Sequence, residues 1–197
     1  MFSGKMVIIG LVGNIGCGKD YIAKNIIIPF LNKSNNFCIQ MAFSDQLKVN
    51  VIQKYNVSFD EVFENKTEQS RKLLQHEGTE MGRNLHGKDY WINYFDTWYK
   101  LMRFKGINNI VVTDVRFKNE LDYIHSISGI VIKIISPERT IEKMSLENSN
   151  SEVSNHVSEQ ELNKISNSAF DYIIYNDYMN EPSIKEDVEK ILLNHVE

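Results

Sequence analysis

The chain has little of what staples, anchors or segregates a polypeptide. Its 197 residues hold two cysteines, Cys17 and Cys38, and three prolines. Two cysteines so placed make neither a disulfide framework nor a metal-type spacing, which points to a reducing, cytoplasmic setting. No apolar run approaches the roughly 20 residues needed to cross a bilayer. The first apolar run is interrupted by Asn14 and Lys19, and no small-residue cleavage site follows, so no signal peptide is expected. Charge of one sign is also scarce: 22 Lys+Arg against 26 Asp+Glu leave −4. That balance argues against nucleic acid or a membrane surface as the primary partner. There is no internal repeat, and only Asn148 to Asn155, rich in Asn and Ser, is compositionally loose.

What remains is an ordinary globular composition, 42% hydrophobic and 24% charged. It is enough for one α/β domain with a substantial core. The most informative stretch is Gly13-Asn14-Ile15-Gly16-Cys17-Gly18-Lys19-Asp20. It fits the phosphate-binding loop G-x-x-x-x-G-K-[ST] through seven positions and departs at Asp20. An apolar run from Met6 to Val12 precedes it, and a helical pattern follows. Strand, glycine loop and helix together let backbone N–H groups wrap a phosphate, and the helix terminus adds partial positive charge. Glycines permit positive φ and close backbone approach, and Lys19 brings a point charge to the outer phosphates. A glycine-rich turn in an unrelated α/β protein would share one or two of these features. Here spacing, lysine, strand and helix coincide.

Along the chain, strands are expected at 6–12, 37–43, 110–114, 130–135 and 170–175. The helix after the loop runs from Gly18 to about Leu31, with Pro29 disturbing its last turn. Ser44 is expected to cap the next helix, with Asp45 in its first turn. Ser58 and Glu61 match a capping box, and Thr67 or Glu68 starts a further helix. Another spans Tyr90 to Arg103, and one more Val115 to Ile127. Strands separated by helices imply a parallel sheet with helices on both faces. The helical insertion after strand 2 and the polar one after strand 4 exceed simple connections. They are expected to cap the C-terminal strand ends, where such sheets bind ligands. The expected organisation is one domain, 1–197. Its core is about 1–57, 106–136 and 169–197, with a helical insertion at about 58–105 and a lid at about 137–168.

Strand 3 delivers Asp114 directly after an apolar run. In proteins with this loop, an acid there helps hold Mg²⁺ or its waters; otherwise it is a solvated strand end or a helix cap. Asp20 stands where a hydroxyl usually ligates Mg²⁺, and is either a second oxygen ligand or a first-turn acid. Arg71, Arg83, Arg116 and Arg139 come from separate segments. Their planar forks suit phosphate, although any one of them alone reads more simply as a surface residue. Arg116, two residues past Asp114, has the best position. The aromatic residues Phe59, Phe63, Tyr90, Trp91, Tyr94, Phe95, Trp98 and Tyr99 crowd the insertion. Most are expected to be core, with one or two left to stack on a base. His76, His86 and His156 have no triad or metal spacing.

Five blocks in this order carry a family resemblance. They are the loop Gly13 to Asp20, Phe43-Ser44-Asp45-Gln46-Leu47-Lys48, and Gly78-Thr79-Glu80-Met81-Gly82-Arg83 with Asp89-Tyr90-Trp91. Then come Asp114-Val115-Arg116-Phe117-Lys118-Asn119-Glu120, and His156-Val157-Ser158-Glu159 with Phe170 to Asn176. Together they resemble the deoxynucleoside monophosphate kinases of large DNA bacteriophages and other large DNA viruses. The resemblance implies a P-loop fold of the nucleoside monophosphate kinase type, with ATP and Mg²⁺ as cofactors. It also implies a deoxynucleoside monophosphate (dNMP) acceptor, a mobile lid and often a homodimer. By the same resemblance, Gly13, Asn14, Ile15, Gly16, Cys17, Gly18, Lys19 and Asp20 hold ATP. Lys19, Asp114, Arg116 and Arg139 are catalytic, and Asp20 and Asp114 serve the metal. Ser44, Asp45, Lys48, Arg71, Glu80, Arg83 and Trp91 bind the dNMP. Arg139 opens the lid, with Lys143 a weaker candidate. The nearest alternatives are a kinase for another phosphorylated small molecule, of dephospho-coenzyme A or phosphomevalonate type, and a nucleotide-binding regulator without transfer.

Overall fold

The structure, a computed structural model, describes residues 6–33, 37–136, 161–162, 164–176 and 181–196. The chain opens with strand β1 (Val7–Val12). Helix α1 follows in three parts: Lys19–Ile22, a π-helical turn Ala23–Ile27, and Ile28–Asn32. Strand β2 (Cys38–Met41) leads to helix α2 (Asp45–Tyr55) and a π-helical turn (Asp60–Glu64). Helix α3 (Glu68–Gln75) runs into a π-helical stretch (His76–Asn84), and α4 (Tyr90–Phe104) follows. Then come β3 (Asn109–Val112), α5 (Lys118–Ser126), β4 (Ile130–Ile135), β5 (Tyr172–Tyr175) and α6 (Glu181–Val196).

The five strands form one parallel sheet in the order β2-β3-β1-β4-β5. Four lie inside the expected spans, β4 matching its span end to end, and β3 begins one residue early, at Asn109. Helix α1 departs from its expectation. The irregularity lies over Ala23–Ile27, before Pro29, where the Ile28 N–H reaches back to the Ala23 carbonyl. Pro29 has no N–H and crowds the carbonyl one turn back, so the ladder slips to five-residue bonds upstream of it. Helix α5 begins at Lys118, not Val115, because Phe117 is extended (φ −120°, ψ 151°).

The chain divides into two compact units, residues 1–41 with 103–197 and residues 42–102. The first holds the sheet. Val7, Ile9 and Leu11 of β1 pack with Ile22, Ile26 and Ile27 of α1 and Ile184, Val188 and Leu192 of α6. On the other face, Ile124 of α5 lies within van der Waals distance of the space above Gly10. Both faces are therefore covered, which is why β1 is buried along its whole length rather than alternating.

The second unit is helical. Its core joins Leu47 and Val51 of α2, Val62 and Trp91, with Phe43 and Phe95 rings 4.4 Å apart. Ser58 and Glu61 form the expected reciprocal cap: Glu61 N donates to Ser58 Oγ at 3.2 Å, and Ser58 N to Glu61 Oε2 at 3.2 Å. Thr67 Oγ1 caps α3 by accepting from Ser70 N at 3.1 Å. Ser44 holds the N-cap position of α2 but makes no side-chain capping bond. Asp45 intervenes instead, its Oδ2 accepting from Ala42 N at 2.7 Å. A carboxylate one residue on satisfies the turn more strongly than a hydroxyl.

Candidate active site

The loop between β1 and α1 leaves the centre of the sheet at its C-terminal edge. Gly16 and Gly18 both have φ 87°, a left-handed conformation that non-glycine residues adopt only at a cost. Gly13 is required for a different reason. A Cβ there would lie 2.5 Å from Cys17 Sγ and 2.6 Å from the Ile134 carbonyl oxygen. The loop is thus folded against the end of β4 with no room for a methyl group. Cys17 is buried, and its N–H donates to the Asn14 carbonyl at 3.2 Å. Asn14, Ile15, Gly16 and Gly18 are partly exposed around it.

Lys19 opens α1 and is only 9% exposed. Among the described residues no carboxylate lies within ion-pair distance of it. A buried ammonium is costly without an opposite charge, so this site is built to receive an anion. Asp20 follows in the first turn of α1 and is exposed.

Asp114 reaches the same edge from the neighbouring strand. Gly10 of β1 pairs with Val112 of β3. Val112 ends β3, and Asp114 follows two residues on, past the last paired residue of that strand. The segment around it is held at three points. Gln40 Nε2 donates to Thr113 Oγ1 at 3.0 Å. The buried carboxylate of Glu120 accepts from Arg116 N at 2.8 Å and from Phe117 N at 3.1 Å. Glu120 thus supplies the capping acceptor at the start of α5. Asp114 and Arg116 are both partly exposed at this edge.

The helical unit carries the other expected residues. Lys48 Nζ lies 3.3 Å from Asp45 Oδ1 and 4.7 Å from the centre of the Phe63 ring. Arg71 is exposed on α3, and Arg83 is partly exposed in the π-helical stretch. Glu80 is exposed and pairs with His76 Nδ1 at 2.8 Å. Trp91 is buried, and its Nε1 donates to the Gly78 carbonyl at 2.9 Å. Gly82 fits beneath the same indole, where a Cβ would lie 2.6 Å from Nε1. Phe95 and Tyr99 are likewise core, whereas Phe59, Tyr94 and Trp98 are exposed. Beside them, Glu77 Oε1 accepts from Lys54 Nζ and from Tyr55 Oη, each at 2.6 Å. Burial pushes the Glu77 carboxyl up, but these two donors outweigh it and hold it below the usual carboxylate range.

A sequence model of deoxynucleotide monophosphate kinases matches residues 19–186. The chain belongs to this family. A putative deoxynucleotide monophosphate kinase of Acanthamoeba polyphaga mimivirus is 30% identical over 154 residues, covering 67% of this chain and 75% of that protein. Solved structures share the fold. A Thermus thermophilus protein superimposes with a TM-score of 0.55 at 14% identity, covering 98% of this chain and 99% of its own. The APS kinase of Mycobacterium tuberculosis, solved with AMPPNP and APS, gives 0.53 at 9% identity, covering 96% of each chain. The five-stranded parallel sheet flanked by helices is therefore the P-loop kinase fold, as the sequence led us to expect.

For this family member most of the expected lid, 137–160 and 163, falls outside the described residues, and with it Arg139, Lys143 and the His156-Val157-Ser158-Glu159 block. No helix among the described residues is long and apolar enough to cross a membrane. Two residues of the site escaped the sequence reading. Glu120 was visible only as part of a motif, although a Glu three residues past a helix start is a known capping signal. Asn176 was visible only as the end of the Phe170 to Asn176 block, with no signal of its partner. It is buried at the end of β5, and its Nδ2 donates to the Cys17 carbonyl at 2.7 Å, 159 residues away.

Proposed function

We propose that the chain transfers the γ-phosphate of Mg-ATP to a deoxynucleoside 5′-monophosphate, giving dNDP and ADP. The observation that carries this reading is Lys19, a buried ammonium without a carboxylate partner among the described residues, at the head of a glycine loop in a deoxynucleotide monophosphate kinase. The loop from Gly13 to Asp20 holds the donor phosphates, and Lys19 stabilises the transferring group. Arg116 and, from the lid, Arg139 neutralise charge as it spreads over the equatorial oxygens.

Among the described residues no group of three or more His, Cys, Asp or Glu side chains could cage a metal. That suits Mg²⁺, which takes one or two carboxylates, substrate phosphates and several retained waters. Asp114 and Asp20 are the carboxylates we assign to hold Mg²⁺, which when bound would supply charge neutralisation for the phosphates. Ser44, Asp45, Lys48, Arg71, Glu80 and Arg83 are assigned to the acceptor, with Trp91 backing them. The acceptor phosphate is already ionised, so positioning and charge neutralisation suffice without a strong base.

A coupled ADP assay tests the reading against a panel of dNMPs, dephospho-coenzyme A and phosphomevalonate. ADP release that depends on at least one dNMP is expected. Turnover with another phosphorylated acceptor alone, or ATP binding without any acceptor-dependent release, would contradict it.

A further inference from the structure

The floor of the phosphate loop is tied to the far side of the sheet by one side chain. Asn176 follows β5, two strands from β1, and is 3% exposed. Its backbone N–H donates to the Ile135 carbonyl at 2.7 Å, which fixes it to the end of β4. Its Nδ2 then donates to the Cys17 carbonyl at 2.7 Å. The Cys17–Gly18 peptide is trans, so its C=O and N–H point in opposite directions. With the carbonyl held toward Asn176, the Gly18 N–H is turned away from it. Among the described residues no backbone acceptor takes that N–H, whereas the Gly18 carbonyl is engaged by Ile22 N at 3.0 Å. Gly18 has φ 87°, and Gly13 leaves Cys17 no slack on the other side. A peptide in a glycine-flanked loop rotates easily unless something holds its carbonyl, and a buried carboxamide is suited to that because it is itself immobile.

We propose that Asn176 is a positioning residue for the nucleotide: it locks the Cys17–Gly18 peptide so that the Gly18 N–H meets a phosphate oxygen of the donor. The proposal rests on the reading of Gly13 to Asp20 as the donor site. It makes the end of β5 part of the phosphate-binding apparatus without touching the phosphate.

Asn176→Ala removes the donor, and Asn176→Asp keeps the shape while replacing the donor by an acceptor facing a carbonyl. Both are measured in the full chain for ATP affinity by calorimetry, for dNMP KM and for Tm. Asn176→Ala is expected to weaken ATP binding about tenfold or more, the scale of one lost charge-assisted bond, with dNMP KM within about twofold. Asn176→Asp is expected to be worse at pH 8. Relative to wild type at the same pH, it recovers as the pH falls and the carboxyl O–H becomes a donor to the Cys17 carbonyl. A purely architectural role moves Tm without that pH signature. ATP affinities equal to wild type in both variants would overturn the proposal, as would equal loss of ATP and dNMP affinity, or failure of both variants to fold. Wild-type protein that binds ATP but phosphorylates no dNMP sinks the kinase reading and leaves this one standing. Wild-type protein that turns over dNMP, with variants of unchanged ATP affinity, sinks this one alone. Absence of ATP binding in wild type removes both.

Discussion

Adding one methyl group at Gly13 is the sharpest perturbation of the loop. The Cβ of Gly13→Ala would sit 2.5 Å from Cys17 Sγ and 2.6 Å from the Ile134 carbonyl oxygen. Comfortable contacts of this kind lie near 3.5 Å, so relief requires a movement on the order of 1 Å. Neither neighbour yields readily. Ile134 lies in β4, paired with Ile174 of β5, and Cys17 is buried with its carbonyl bonded to Asn176. The loop itself must therefore shift. Overpacking of this size costs about 1–3 kcal/mol of stability, a fall in Tm of about 2–12 °C for a chain of this length. A displacement of about 1 Å at a phosphate site lowers turnover roughly 100-fold. Differential scanning calorimetry and the coupled ADP assay read the two effects separately. Cys17→Ala in the same chain removes the sulfur contact but leaves the Ile134 carbonyl, so Gly13→Ala with Cys17→Ala is expected to recover only part of either loss. A Gly13→Ala protein with wild-type Tm and turnover would refute the reasoning. So would full rescue by Cys17→Ala, which would show that β4 is not the wall.

Three further outcomes follow from the same structure. Glu120→Ala leaves the Arg116 and Phe117 N–H groups without their acceptor, and is expected to cost about 1–2 kcal/mol in a urea melt and to lower kcat more than it raises the ATP KM. The Glu77 carboxyl is held below its ordinary range, so its contribution is present above the unfolded carboxylate value near pH 4 and disappears as pH falls through the lower folded value. Glu77→Gln is thus expected to lower stability by about 1 kcal/mol at pH 7, allowing for the half-exposed Lys54. The gap between the two proteins should narrow in melts as the pH falls below about 4, and a gap that stays constant across the acid range would count against the pairing. Trp91→Phe keeps a ring but loses the bond to the Gly78 carbonyl, with an expected loss of about 1–3 kcal/mol in a thermal melt; an unchanged Tm would show that the indole N–H is idle.

The sheet was legible because its signal is local. β1, β3 and β4 are short β-branched runs bounded by glycine or acid, and runs of this kind mark buried parallel strands. The phosphate loop was legible because its spacing and context are themselves the chemistry. Strand order was not written in any one segment, since β1 comes to lie between β3 and β4 only through crossovers. The π-helical slip before Pro29 was mislocated because proline disturbs bonds upstream of its own position. Phe117 delayed helix α5 because the extended segment after β3 is stabilised by Glu120, a side chain three residues inside the helix. Asn176 was out of reach for a simpler reason: its partner is the Cys17 carbonyl, and a backbone acceptor leaves no mark on the sequence that bonds it.

The most direct measurement follows the label. The purified chain is incubated with Mg²⁺, ATP labelled at the γ-phosphate and each dNMP in turn, and the products are separated by chromatography. The account predicts label in the β-phosphate of a dNDP, dependent on the dNMP and lost in Lys19→Ala. Label found only in inorganic phosphate, or dNDP formed undiminished by Lys19→Ala, would contradict it.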